Sequence, residues 1–169
     1  GRILPVKTGE GAVAAHAALG DDGKVRLLLT NKDLAAPLLA AGARWADTAK
    51  DVAAASDVVF TCLPSPRVIE TVLCGPDGIL AGLAVGGTWI DNSTNDQEET
   101  LRLAAICTGR GVRVLESPVT GGVHKAAAGD ITVLVGGDEA LYEEHADLLG
   151  VIGSPVLHMG PLGSAAVIK

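Results

Sequence analysis

The chain has 169 residues, 48 % of them hydrophobic and 20 % charged, which suits one globular domain with a sizeable core and excludes a disordered chain. Aromatics make up only 2 %, so that core must be built from Ala, Val, Leu and Ile. The net charge of −7 with no basic cluster argues against nucleic-acid binding, and no apolar run reaches the roughly 18 residues of a membrane span.

The elements follow in chain order. "RILPVKT" (2–8) reads as a first strand and "GAVAAHAAL" (11–19) as an Ala-rich helix. "KVRLLLT" (24–30) reads as a strand, "DLAAPLLAAG" (33–42) as a helix ended by Gly42, and "ARWAD" (43–47) as a short strand. "TAKDVAAAS" (48–56) predicts a helix capped by Thr48, with Asp51 in its first turn. "DVVFTCLP" (57–64) is the clearest strand, an apolar and β-branched run of the kind covered on both faces, and Pro64 ends it. "SPRVIETVLC" (65–74) is a helix with Pro66 at its first position. "GTWIDNS" (87–93) is a strand and "DQEETLRLAAICTG" (96–109) a helix, whose Leu101, Ala104, Ala105 and Thr108 share one face. "GVRVLES" (111–117) and "DITVLVGG" (130–137) are strands, followed by the helix "DEALYEEHADLLG" (138–150), the strand "SPVLHMG" (154–160) and a helix opening in "GSAAVIK".

Strand–helix alternation with short connections predicts an α/β fold with a Rossmann-type, doubly wound, mostly parallel sheet. Such sheets bind ligands at the carboxyl ends of their strands. The first predicted strand runs into "GEGAVA" (9–14), which fits G-x-G-x-x-A. Gly9 would permit the tight turn, Gly11 the approach of backbone to a pyrophosphate, and Ala14 close helix–strand packing. At the tip of the next strand, "TNKD" puts Asn31 and Lys32 where an acid would favour NAD. Lys32 there is either a partner for a 2′-phosphate, which favours NADP, or an ordinary surface cation. Asp33 would serve NAD if the turn is displaced by one residue.

The cysteines Cys62, Cys74 and Cys107 contain no CxxC pair, and Cys62 inside "DVVFTC" is expected to be a small buried hydrophobe in a reducing, cytoplasmic compartment. The scattered histidines predict no metal site. The chain starts on Gly1 with no signal-peptide pattern, which reads as a trimmed chain or a fragment.

Five segments in order, "GPDGILAGL", "IDNST", "ESPVTGGVHKAAAG", "ITVLVGGDE" and "HMGPLGSAAVIK", closely resemble the β-hydroxyacid dehydrogenases. That group includes 3-hydroxyisobutyrate dehydrogenase, tartronate semialdehyde reductase and 6-phosphogluconate dehydrogenase. The likeness runs from about residue 25 to the end and is strong from residue 57 onward. It implies an NAD(P)-binding Rossmann domain over 1–162 and the start of an interdomain helix over 163–169, with an all-α domain beyond it and a homodimer or higher assembly.

The resemblance also assigns roles. Thr120 stands where the family has a serine, and its hydroxyl keeps donor and acceptor while its methyl narrows the pocket. Backbone N–H groups at Gly121 and Gly122 would meet the substrate carboxylate. Lys169 matches the catalytic lysine that exchanges a proton with the substrate oxygen, which near neutral pH requires a lowered pKa. Leu63, Pro64 and Thr94 align with cofactor contacts. The family's opening "GFIGLGNMG" is replaced here by "ILPVKTGEG", and its partner asparagine would lie four residues past Lys169.

The implied function is NAD(P)-dependent interconversion of a small 3-hydroxy acid and its semialdehyde, with little or no turnover by these residues alone. A glyoxylate or succinic semialdehyde reductase uses the same motifs. A dinucleotide-binding module without catalysis is the alternative favoured by the unusual opening.

Overall fold

The computed structural model describes residues 43–169 and two strands before them, β1 (Ala15–Leu19) and β2 (Val25–Leu29). The remaining strands are β3 (Val58–Thr61), β4 (Thr88–Asp91), β5 (Arg113–Glu116), β6 (Val119–Thr120), β7 (Thr132–Gly136) and β8 (Val156–Gly160). The helices are α1 (Ala49–Ala54), α2 (Pro66–Cys74), α3 (Gln97–Gly109), α4 (Gly122–Ala128), α5 (Glu139–Ile152) and α6 (Ser164–Ile168), with a 3₁₀ turn at Ile79–Ala81.

All the described strands join one sheet. Its order is β2-β1-β3-β4-β5-β7, with β8 on the far side of β7. The short β6 continues the line of β5 along the same neighbour, pairing Val119 with Val133 and Thr120 with Thr132. The centre, β3-β4-β5, is parallel, and β2 and β6 share its direction; β1, β7 and β8 run the other way. The central strands are buried on both faces, as Val58–Thr61 and Thr88–Asp91 show along their whole length. On one face Val59 and Trp89 pack with α1, α2 and α3 through Val52, Ile69, Leu73, Leu103 and Cys107. On the other, Val58, Phe60, Ile90, Leu115, Val133 and Val135 pack with Leu141 and Leu149 of α5. Helices on both faces make the sheet doubly wound.

Four helices start on side-chain caps, of which the sequence reading named Thr48. Thr48, Ser65, Asp96 and Asp138 each accept the N–H three residues on, and each such cap is worth about 1 kcal/mol.

Three expectations fail. Residues 15–19 form a strand, not the end of a helix: β1 lies antiparallel between β2 and β3, and sheet pairing overrides the helix preference of alanine. Residues 43–47 make no strand; only Arg44 forms an isolated bridge. The buried face of α3 is Leu103, Ala104 and Cys107, while Leu101, Ala105 and Thr108 are exposed. The short α4 was not foreseen, because it buries none of its residues and so carries no periodic signal. No helix among the described residues is long and apolar enough to cross a membrane.

Candidate active site at the carboxyl ends of the central strands

The parallel register sets Thr61 beside Asp91 and Asp91 beside Glu116, so three strands end side by side on buried polar residues. The Thr61 hydroxyl donates to Asp91 Oδ1 at 2.7 Å and accepts from the Trp89 indole N–H at 2.9 Å. The Ser93 hydroxyl and backbone N–H also donate to Asp91 Oδ1. Ser93 Oγ in turn accepts the Leu63 N–H at 2.8 Å. Asp91 thus organises the turns after both β3 and β4. Burial pushes its carboxyl above the ordinary range, and the Ser93 and Thr61 hydrogen bonds pull it part of the way back.

Glu116 is the second buried carboxylate, 4 % exposed. Its Oε1 accepts the Ala165 N–H at 3.0 Å and its Oε2 the Ala166 N–H at 3.1 Å, so it caps α6 from across the fold. Burial raises its pKa; the N–H groups of Ala165, Gly163 and Ala166 oppose that, and the Asp91 charge adds to it. Opposite Glu116 in the β5–β7 pairing is Gly136, where any β-carbon would collide with Oε1. Beyond Glu116 the chain bends: Ser117 N–H donates to Asp91 O at 2.7 Å and its hydroxyl to Asn92 Oδ1 at 2.8 Å, which fixes the start of the β6 loop.

The expected substrate loop sits on this bend. Thr120 is exposed at the end of β6, four residues past Glu116. Gly121 and Gly122 follow with φ of 135° and 76°, conformations that side-chain-bearing residues rarely adopt, and the Lys125 stem lies across Gly121. Lys169 is exposed at the end of α6, its N–H bonded to Ala165 O at 3.0 Å. No hydrogen bond or ion pair joins its side chain to Thr120; the two are linked through β5, which leads into the loop and, by Glu116, holds the helix. Of the expected cofactor contacts, Leu63 is buried, while Pro64 and Thr94 are exposed at the ends of neighbouring strands. Gly9, Gly11, Ala14, Asn31 and Lys32 lie outside the described residues.

Cys62 is exposed beside Pro64, not buried as its apolar context suggested, because it is the first residue past the end of β3. The protein around its sulfur, and then the Asp91 charge, push its thiol up, so it stays protonated at neutral pH. Cys107, in the core, is pushed up to about 12 by burial. Among the described residues no group of three or more His, Cys, Asp or Glu side chains could hold a metal ion.

Sequence reading missed the buried set of Thr61, Asp91, Asn92, Ser93 and Ser117, and the capping role of Glu116. One signal was present: "VVFT", "TWID" and "RVLE" are apolar strands that each end on a polar residue.

Comparison with known proteins agrees with this geometry. Residues 11–160 match the NAD binding domain of 6-phosphogluconate dehydrogenase. The 2-(hydroxymethyl)glutarate dehydrogenase of Eubacterium barkeri is 37 % identical over 134 residues, which are 79 % of this chain and 44 % of that protein. The cytokine-like nuclear factor N-PAC of Homo sapiens is 33 % identical over 125 residues, 74 % of this chain and 23 % of that protein. The structure of 3-hydroxyisobutyrate dehydrogenase from Mycobacterium tuberculosis, solved with L-serine, superposes with a TM-score of 0.75 at 29 % identity, over 83 % of this chain and 47 % of that one. The chain therefore spans less than half the length of each of these relatives. With the family match covering most of its residues, the chain belongs to the β-hydroxyacid dehydrogenase family and represents that family's NAD(P)-binding dehydrogenase domain.

Proposed function

We propose that the chain is the cofactor-binding part of an NAD(P)-dependent oxidoreductase that interconverts a small 3-hydroxy acid and its semialdehyde. The observation that carries this reading is the double role of one strand end: β5 leads into the Thr120-Gly121-Gly122 loop, and its last residue, Glu116, holds the helix that ends at Lys169. The names of two relatives share one chemical fragment. 2-(Hydroxymethyl)glutarate and 3-hydroxyisobutyrate both carry a hydroxymethyl group on the carbon that bears a carboxylate, as does L-serine.

The residues present fit a dinucleotide. Cys62, Pro64 and Thr94 are exposed around a buried hydrogen-bonded network, at the strand ends where doubly wound sheets bind nucleotides. When bound, the nicotinamide would supply or accept hydride. This chain's own residues would do the rest. The Thr120 hydroxyl and the loop N–H groups bind and orient the substrate carboxylate. Lys169 moves the proton at the substrate oxygen. Pro64 and Thr94 border the cofactor, and Lys32 favours NADP over NAD. Residues 1–162 form the cofactor domain and 163–169 begin the helix that leads into the rest of the enzyme, which supplies the missing substrate contacts and the dimer interface.

Hydride transfer is tested in the complete protein by following NADPH and NADH absorbance with 3-hydroxyisobutyrate, 2-(hydroxymethyl)glutarate, L-serine, glyoxylate and succinic semialdehyde. The expected result is turnover of at least one 3-hydroxy acid, reduced by about 100-fold or more in Lys169→Ala, a typical contribution from a positioned acid–base group. Likeness to the nuclear factor N-PAC favours a second reading, a dinucleotide-binding module without catalysis. Calorimetric binding of either cofactor without turnover of any substrate selects that reading.

A further inference from the structure

We propose that Glu116 is a positioning residue for the lysine-bearing helix: its buried carboxylate fixes where Lys169 stands relative to the Thr120 loop. The inference rests on the reading of Lys169 as the proton carrier.

The helix α6 opens with no side-chain cap of its own, because Gly163 occupies the N-cap position. Its first turn is held by Glu116, 49 and 50 residues earlier, with one carboxylate oxygen on each of two consecutive N–H groups. Lys169 is one turn on, and its own N–H bonds back to Ala165, the residue that Glu116 grips. The path from β5 to Lys169 is therefore short: Glu116, Ala165, Lys169.

One glycine makes room for it, and a second shapes the entry to α6. A β-carbon at Gly136 would occupy the place of the carboxylate, and Gly163, at φ 92°, brings the chain against Gln97 at the start of α3. Glu116 has no cation partner among the described residues, and there its carboxylate is held by backbone N–H groups. A carboxylate chosen only for stability at this site has a simpler substitute in an apolar side chain. What only a carboxylate supplies is two acceptors at a spacing that matches two successive N–H groups.

Glu116→Gln separates the roles. The glutamine has the same shape but only one acceptor oxygen, so its NH₂ faces a backbone N–H. In the complete protein, without cofactor, amide exchange at Ala165 and Ala166 is expected to quicken by about tenfold or more while α3 and α5 keep their protection. In turnover assays kcat is expected to fall roughly 10- to 100-fold with KM nearly unchanged, the loss typical of a misplaced catalytic group. Glu116→Asp, which keeps two acceptors on a shorter stem, should recover part of kcat, and it is the variant to read if the glutamine protein does not fold. Unchanged exchange at Ala165 and Ala166, or faster exchange with kcat and KM both as in the parent, overturns the proposal. Full activity in Lys169→Ala overturns the assignment of Lys169 instead, and the exchange result would still report the hold of Glu116 on the helix.

Discussion

Gly136 stands directly opposite Glu116 in the β5–β7 pairing, and the space that a side chain would need at Gly136 is filled by Glu116 Oε1. Gly136→Ala is therefore expected to destabilise the protein by about 2–4 kcal/mol, through overpacking and a buried carboxylate pushed off its donors. In a Glu116→Ala background the methyl has room, and the same substitution should cost much less. A double-mutant cycle by urea unfolding reads the coupling, expected at about 1–3 kcal/mol. Additive costs would show that the two sites do not meet.

Ser93 links two turns, accepting the Leu63 N–H and donating to Asp91. In Ser93→Ala the buried Leu63 N–H loses its acceptor and Asp91 loses one of its two hydroxyl donors, at an expected cost of about 1–3 kcal/mol. The turn after β3 should loosen with it, so NADH and NADPH should both bind several-fold more weakly. Unfolding curves read the first effect and calorimetric titration the second. Parent-like affinity in a destabilised variant would separate this turn from the cofactor site.

The sequence makes some of this legible and hides the rest for physical reasons. β3 and β4 are readable because burial on both faces leaves unbroken apolar runs, and the starts of α1 and α2 because Thr48 and Pro66 are local signals. β1 is not, since "AHAAL" owes its strand form to its neighbours. The face of α3 is misread because "LRLAAIC" is apolar on several sides, and only packing decides that Leu103 goes in and Leu101 stays out. Thr120, Gly121, Gly122 and Lys169 stand out as motif residues. Glu116 does not, because its partners lie 49 and 50 residues away and offer only backbone.

Asp91 gives the first pH prediction. Its folded pKa is raised, mainly by burial, so the folded state holds its proton at a pH where the unfolded chain has released it. Its contribution to stability is fully present below the ordinary carboxylate value and is lost as pH rises through the raised one. Glu116 acts in the same sense. Asp91→Asn should flatten part of this decline when unfolding free energies are compared across mildly acidic pH. An unchanged profile would mean that Asp91 titrates alike in both states.

His145 gives the opposite slope. It is buried on α5, with Nε2 at 3.1 Å from the Thr88 hydroxyl at the start of β4. Burial lowers its pKa, Glu144 pulls it back up, and Arg113 lowers it further. As pH falls below the ordinary imidazole value of about 6.5, the unfolded chain takes up a proton that the folded protein refuses. Stability is then fully present above about 6.5 and falls towards the depressed folded pKa, by at most about 1.4 kcal/mol per pH unit. In His145→Gln, which keeps a polar partner for Thr88, that slope should vanish. In Glu144→Gln it should extend to lower pH, because the carboxylate that favours the imidazolium is gone; the exposed Arg113–Glu144 pair itself contributes little at neutral pH. Urea unfolding between pH 5 and 8 checks both, and a slope that survives in His145→Gln would assign the effect to another group.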